Sequence, residues 1–123
     1  MILNRTAFTW CFVLAIMTIA TTLAHMRIEK TMPEAGAVLS ESPHHIQVWY
    51  TQAPDPAISK LTLESKNGVV VLGDTTVQAD KSLVALLPSS LPSGTYTVKW
   101  RAAGDDGHAQ RGDFSFTIQT AER

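Results

Sequence analysis

From residue 26 onward, apolar and polar side chains alternate with a period of two, and no stretch carries the 3.6-residue period of an amphipathic helix. Ile46, Val48 and Tyr50 share one face of residues 45–51, and Leu61 and Leu63 share one face of residues 58–64. Leu83, Ala85 and Leu87 do the same in residues 82–87. Tyr96, Val98 and Trp100 alternate with Thr97, Lys99 and Arg101, and Phe114, Phe116 and Ile118 repeat the pattern further on. Each run predicts a half-buried strand. Residues 26–32 alternate more weakly and predict a first edge strand, while residues 69–72 and 75–78 predict two short ones. The breaks fit this reading. Pro33-Glu34-Ala35-Gly36 is a turn, Ala53-Pro54-Asp55-Pro56 stops a strand, and Asn67-Gly68 suits a tight hairpin with positive φ. Seven to eight short strands with turns every 8–12 residues predict an all-β domain, a β-sandwich or small barrel.

Residues 1–24 read differently. Arg5 supplies a short positive region, Phe8 to Ala20 an apolar run, and Thr22-Leu23-Ala24 small residues where a signal peptidase cuts. The run is short for a bilayer span, which takes roughly 20 residues. A secretory signal peptide over 1–24 is therefore expected, with the mature domain at 25–123. Cys11, the single cysteine, falls inside it and lacks a lipobox-like setting, so the mature chain has no disulfide and no thiolate ligand.

Removing residues 1–24 takes away one of the ten Lys/Arg and none of the eleven Asp/Glu, leaving a net charge of about −2. No basic cluster or basic helical face is evident along the sequence, so nucleic acid is not an expected partner. Gly-rich phosphate loops, repeats and nucleophile elbows are absent from the sequence.

The candidate chemistry lies at the two ends of the mature domain. Cleavage after Ala24 makes His25 the first residue. Its α-amine and imidazole, with ordinary pKa values of about 7.7 and 6.5, can then chelate one metal ion through a six-membered ring. Cu(II) favours such nitrogen donors. Far along the chain, the turn Asp105-Asp106-Gly107-His108 between two strands places a carboxylate and an imidazole two positions apart. Read alone, His25 is equally a frayed terminus, Asp106 a turn cap and His108 a solvated loop residue. His44 and His45 point to opposite faces of a strand and are expected as a solvated pair.

The sequence resembles the CopC family (CopC/YobA-like periplasmic copper-binding and copper resistance proteins) over nearly all of residues 25–123. His25-Met26-Arg27-Ile28 with Met32-Pro33-Glu34-Ala35-Gly36 is similar to the family's opening, and Pro43 through Tyr50 to its first well-formed strand. The most specific segment is Leu91 through Arg101 with Asp106-Gly107-His108, Gly112 and Phe116. The resemblance implies an immunoglobulin-like Greek-key β-sandwich or barrel. It also implies one Cu(II) per mature chain, held by the amine and ring of His25 with Asp106 and His108. Gln52 stands where some members carry a glutamate, and a neutral amide offers no anionic oxygen there. Residues 59–72 hold no Met or His, so the Met-rich cuprous loop of some relatives is missing and the chain resembles the single-site, Cu(II)-only type.

The expected function is that of a monomeric copper carrier or buffer in copper homeostasis or resistance, not an enzyme. Its expected location is the periplasm of a Gram-negative bacterium, with an inner-membrane copper transporter of the CopD type as partner. Two other readings stay open. One is a secreted immunoglobulin-like structural module without metal. The other is an N-terminal-histidine copper monooxygenase, disfavoured by short length, by the lack of a flat aromatic substrate face, and by Asp106 competing for coordination space. Arg101 and Arg111 are expected as rim charges, Arg111 steadying a carboxylate of the site. Trp49, Tyr96 and Trp100 are expected at the core or its edge, Met32 as a packing residue, and Met26 as a side chain shading the metal.

Overall fold

In the computed structural model, residues 25–121 are described; the expected signal peptide lies outside them. Nine strands occur there: β1 (Ile28–Met32), β2 (Val38–Leu39), β3 (His45–Tyr50), β4 (Lys60–Ser65), β5 (Gly68–Val70), β6 (Thr76–Val77), β7 (Ser82–Leu86), β8 (Gly94–Ala103) and β9 (Ala109–Ile118). They form two sheets, one ordered β1-β3-β7-β6 and the other β2-β9-β8-β4-β5. The fold is therefore all-β and two-layered, a sandwich. No helix among the described residues is long and apolar enough to cross a membrane.

The inward faces are those the alternation indicates. Ile46, Val48, Leu63, Leu83, Ala85 and Val98 have no exposed surface, and Tyr50, Phe116 and Ile118 keep 1 % each. Burial of each large apolar side chain stabilises the fold by about 1.5–3 kcal/mol, so the interleaved faces of β3 and β7 against β4, β8 and β9 form the core. Tyr96 stacks on Phe116 with ring centroids 5.6 Å apart. Its hydroxyl donates to the carbonyl of Pro92 at 2.7 Å, the tyrosine-corner contact.

Several details differ from the alternation. The ninth strand, β2, pairs in parallel with the end of β9, Val38 with Thr117 and Leu39 with Ile118. Two residues carry no readable period, so only the neighbouring strand makes them a strand. The tight turn after β4 is shifted by one residue. Ser65 pairs with Gly68, which leaves Lys66 and Asn67 at the turn, and the positive φ (118°) belongs to Gly68 alone. Met32 is 39 % exposed rather than packed, because β1 is an edge strand whose inward surface is taken by Ile28.

Trp49 faces away from the core, since Val48 and Tyr50 occupy the inward positions on either side. Its indole donates to Asp80 at 2.9 Å, and the Lys30 ammonium lies 4.3 Å from its ring centroid. The Ser82 hydroxyl also donates to Asp80, and it accepts from the Gln47 amide at 2.9 Å. These donations, from Ser82 first and Trp49 next, hold the Asp80 carboxyl below the usual carboxylate range.

Two buried tyrosines separate packing from hydrogen bonding. Among the described residues the Tyr50 hydroxyl has no hydrogen-bond partner, and burial pushes its pKa up, whereas the Tyr96 hydroxyl is satisfied. Tyr96→Phe is expected to cost about 1 kcal/mol, lowering Tm by roughly 4–8 °C in a domain of this size. Tyr50→Phe is expected to leave Tm unchanged or raise it, because it removes an unmet polar group. Thermal unfolding of the two variants checks the opposite signs.

Candidate metal centre

The site is assembled where the chain's start meets the β8–β9 turn. Met26 is 3 % exposed and part of the core cluster, so it anchors the segment that leads into β1 instead of shading a metal. Arg27 then exchanges hydrogen bonds with Thr51. Its amide donates to the Thr51 hydroxyl at 2.9 Å, and its carbonyl accepts from the Thr51 amide at 2.9 Å. With residues 26 and 27 held, His25 is left at the surface, its side chain 68 % exposed.

The turn itself runs from Gly104 to His108. The β8–β9 ladder continues unbroken from Gly94 opposite Ile118 to Ala103 opposite Ala109, which fixes where the turn emerges. Gly104 is buried. A β-carbon there would sit 2.6 Å from the Gln52 side-chain oxygen and 3.5 Å from the Met26 β-carbon, so glycine lets the turn close onto the N-terminal segment. Gly107, with φ of 71°, adopts the left-handed conformation the turn requires, and its amide donates to the Gly104 carbonyl at 3.1 Å.

Asp106 does two things at once. Its Oδ1 accepts from the His108 amide at 3.1 Å, the turn-capping role that Asp supplies routinely. Its Oδ2 lies 3.5 Å from His25 Nδ1 and 3.7 Å from His108 Nδ1. The structure thus brings His25, Asp106 and His108 to one surface point, with the carboxylate between the imidazoles. Among the described residues no three His, Cys, Asp or Glu side chains form a ready-made metal cage. The centre is open: the Asp106 and His108 side chains are 35 % and 81 % exposed.

The His108 backbone donation is the main reason the Asp106 carboxyl is held below the usual range, with the nearby imidazoles adding to it and partial desolvation opposing. A depressed folded-state pKa favours the native carboxylate above the unfolded value of about 3.9.

Other sequence candidates lie elsewhere. His44 is exposed, and its carbonyl accepts from the Leu87 amide at 2.9 Å. His45 is half-buried and pairs with the Gln47 side chain at 3.2 Å. Asp105 is exposed. Arg111 steadies no carboxylate: among the described residues it has no ion pair, and it stands opposite Arg101 on the outer face of the larger sheet. Gln52, by contrast, packs directly beneath the turn. The family resemblance had already pointed to this position, and the contact with Gly104 gives its place in the fold.

A two-sheet β-domain presenting histidine and carboxylate donors at one end is the class that these features define. The sequence profile of the CopC domain matches residues 28–119, and the chain belongs to the CopC family, a copper resistance family. It is 29 % identical to copper resistance protein C of Escherichia coli over 127 residues, covering 96 % of this chain and 98 % of that protein. Protein YobA of Escherichia coli K12 is 28 % identical over 115 residues, covering 88 % and 93 %. The crystal structure of CopC from Methylosinus trichosporium OB3b superposes with a TM-score of 0.72 at 27 % identity, covering 80 % of this chain and 98 % of that one. That of PcoC, a methionine-rich copper resistance protein from Escherichia coli, gives a TM-score of 0.70 at 29 % identity, covering 78 % and 100 %.

In metal-free protein, NMR titration should show Asp106 ionising below about 3.9, its stabilising contribution being lost as pH falls from there through the folded value. In Asp106→Asn that acid-side loss should shrink.

Proposed function

We propose that the protein binds one Cu(II) in the periplasm and carries or buffers it in copper resistance or homeostasis. The ligands are the α-amine and imidazole of His25, freed by cleavage after Ala24, with Asp106 and His108. The observation that carries this reading is that the His25 nitrogen nearest Asp106 is Nδ1, at 3.5 Å. That is the ring atom able to close a six-membered chelate with the residue's own amine. Ligands bonded to a shared ion at about 2.0 Å stand about 2.8 Å apart when cis and about 4.0 Å when trans. The 3.5 and 3.7 Å spacings about Asp106 Oδ2 fall between these limits, so modest side-chain rotation suffices. Membership of a copper resistance family supports the same cargo.

The donor set fits the ion. Three nitrogens and a carboxylate form the tetragonal N,O environment that suits Cu(II), and the carboxylate offsets part of the charge. Soft thioethers that would select Cu(I) are few: Met26 is buried in the core, Met32 sits at the end of β1, and residues 59–72 contain no methionine. The role is binding rather than catalysis. A copper-transporting inner-membrane protein of the CopD type is the recipient or donor this reading implies, with the carrier acting as a monomer.

The test is the intact mass of the exported protein followed by Cu(II) titration under electron paramagnetic resonance. A chain beginning at His25, one tightly held equivalent and nitrogen hyperfine structure are expected. One residue added before His25 should abolish that signature, and His25→Ala, Asp106→Asn and His108→Ala should each weaken uptake by on the order of tenfold to a hundredfold. Uptake should also decline in acid as the nitrogens take up protons. A free His25 that takes up copper only weakly would sink the proposal.

A further inference from the structure

The outer face of the larger sheet carries a row of cations that the fold does not use. Lys60 on β4 stands opposite Arg101 on β8, and Arg101 stands opposite Arg111 on β9. Residues directly opposite in a ladder share a face, and all three are exposed. Like charges placed this way destabilise a sheet, and neighbouring strands are only about 4.8 Å apart. Among the described residues none of the three forms an ion pair; Asp113 stands on the same face opposite Lys99. Arg101 spends its Nε–H on the Ile58 carbonyl at 2.9 Å, which keeps the charge but fixes its position. The nearest further cation, Lys99, is already paired with Glu64 at 3.2 Å.

Two more features mark the surface. Lys60, Thr62, Lys99, Arg101, Arg111 and Asp113 line a shallow depression. Lys60, Thr62 and Arg101 also line the adjoining groove, whose far side is Val69 and Val71. Val69, in the edge strand β5, and Val71, just after it, are 75 % and 76 % exposed, and β5 has no neighbour on its open side. Basic and apolar contacts are therefore continuous over one face of a chain whose formal net charge is −1.

We propose that this face is a docking surface for an acidic segment of a protein partner, its carboxylates meeting Lys60, Arg101 and Arg111 and its apolar side chains covering Val69 and Val71. Charge complementarity selects the acidic partner; arginine is enriched at protein interfaces, and the exposed valines add apolar area beside it. An anionic bilayer is the poorer occupant. Glu64 pairs with Lys99, which leaves three cations without an ion pair on this face, while polybasic membrane segments use roughly four to eight. Arg101 and Arg111 lie on the two strands that hold the Gly104–His108 turn, so a docked partner stands alongside the candidate metal centre. Copper exchange across that contact rests on the function proposed above; the docking itself does not.

The test uses metal-free protein and a short soluble peptide rich in glutamate with interspersed leucines, followed by amide shifts in ¹H–¹⁵N spectra. Shifts should gather on β4, β5, β8 and β9 around Lys60, Val69, Arg101 and Arg111, and affinity should fall as salt rises. Lys60→Gln with Arg111→Gln, which removes no ion pair or fold-holding contact, should weaken binding on the order of tenfold. Lys30→Gln with Lys81→Gln, the same charge change on β1 of the other sheet and in its β6–β7 turn, should leave it intact. Equal losses from both pairs, shifts centred elsewhere, no binding, or retention by phosphatidylglycerol vesicles in place of the peptide would overturn the proposal. Cu(II) uptake by the Lys60/Arg111 variant should match the native chain. If the native chain takes up no copper but binds the peptide at this face, the copper reading fails and the docking surface stands.

Discussion

The pairing of β8 with β9 is the constraint on which the rest of the molecule depends. Ten cross-strand pairs run in unbroken register from Gly94–Ile118 to Ala103–Ala109. A slip of β9 by one residue would turn Phe114, Phe116 and Ile118 out of the core together. The same register decides which residues form the turn, and so where Asp106 and His108 stand. It also aligns Arg101 with Arg111. Core packing, candidate metal centre and basic face are thus three readouts of one ladder.

The second dependence is the seating of the N-terminal segment on that hairpin. Met26 enters the core, Arg27 and Thr51 exchange backbone and hydroxyl hydrogen bonds, and Gly104 leaves room for Met26 and Gln52 beneath the turn. None of these groups is a metal donor. They bring residues 25 and 106, eighty-one positions apart in sequence, to within 3.5 Å of one another. Asp106 then couples the halves, with one oxygen bound to its own turn and the other directed at both imidazoles. In the proposed copper-carrying role these backbone contacts preorganise the three side chains, and their exposure leaves room for cargo to enter and leave.

The outer surfaces of the two sheets are managed differently. On the smaller sheet, Trp49, Lys30, Asp80, Ser82 and Gln47 satisfy one another through hydrogen bonds and a cation–π contact. On the larger one, Lys60, Arg101 and Arg111 face each other with no ion pair among the described residues, and Val69 and Val71 are exposed on the same face. That contrast, within one small domain, separates a face that is complete by itself from one suited to a partner.

Period-two alternation was sufficient by itself to determine the all-β class, the inward sets on β3, β4, β7, β8 and β9, and a turn at residues 105–108, because burial of one face imposes that period directly. The candidate donors at positions 25, 106 and 108 came from the resemblance to the CopC family, since the residue types alone left each open to a plainer reading. Tertiary structure alone decided the rest. The two-residue strand β2 exists only through its partner, the positive φ of the β4–β5 turn falls on Gly68 because of pairing register, and Met26 is core because the first strand docks by inserting it. Arg111 belongs to a basic row and not to the metal turn because the ladder sets it opposite Arg101. Local patterns encode which side of a strand is buried; which strands become neighbours is settled by long-range pairing, and only that brings His25 to Asp106.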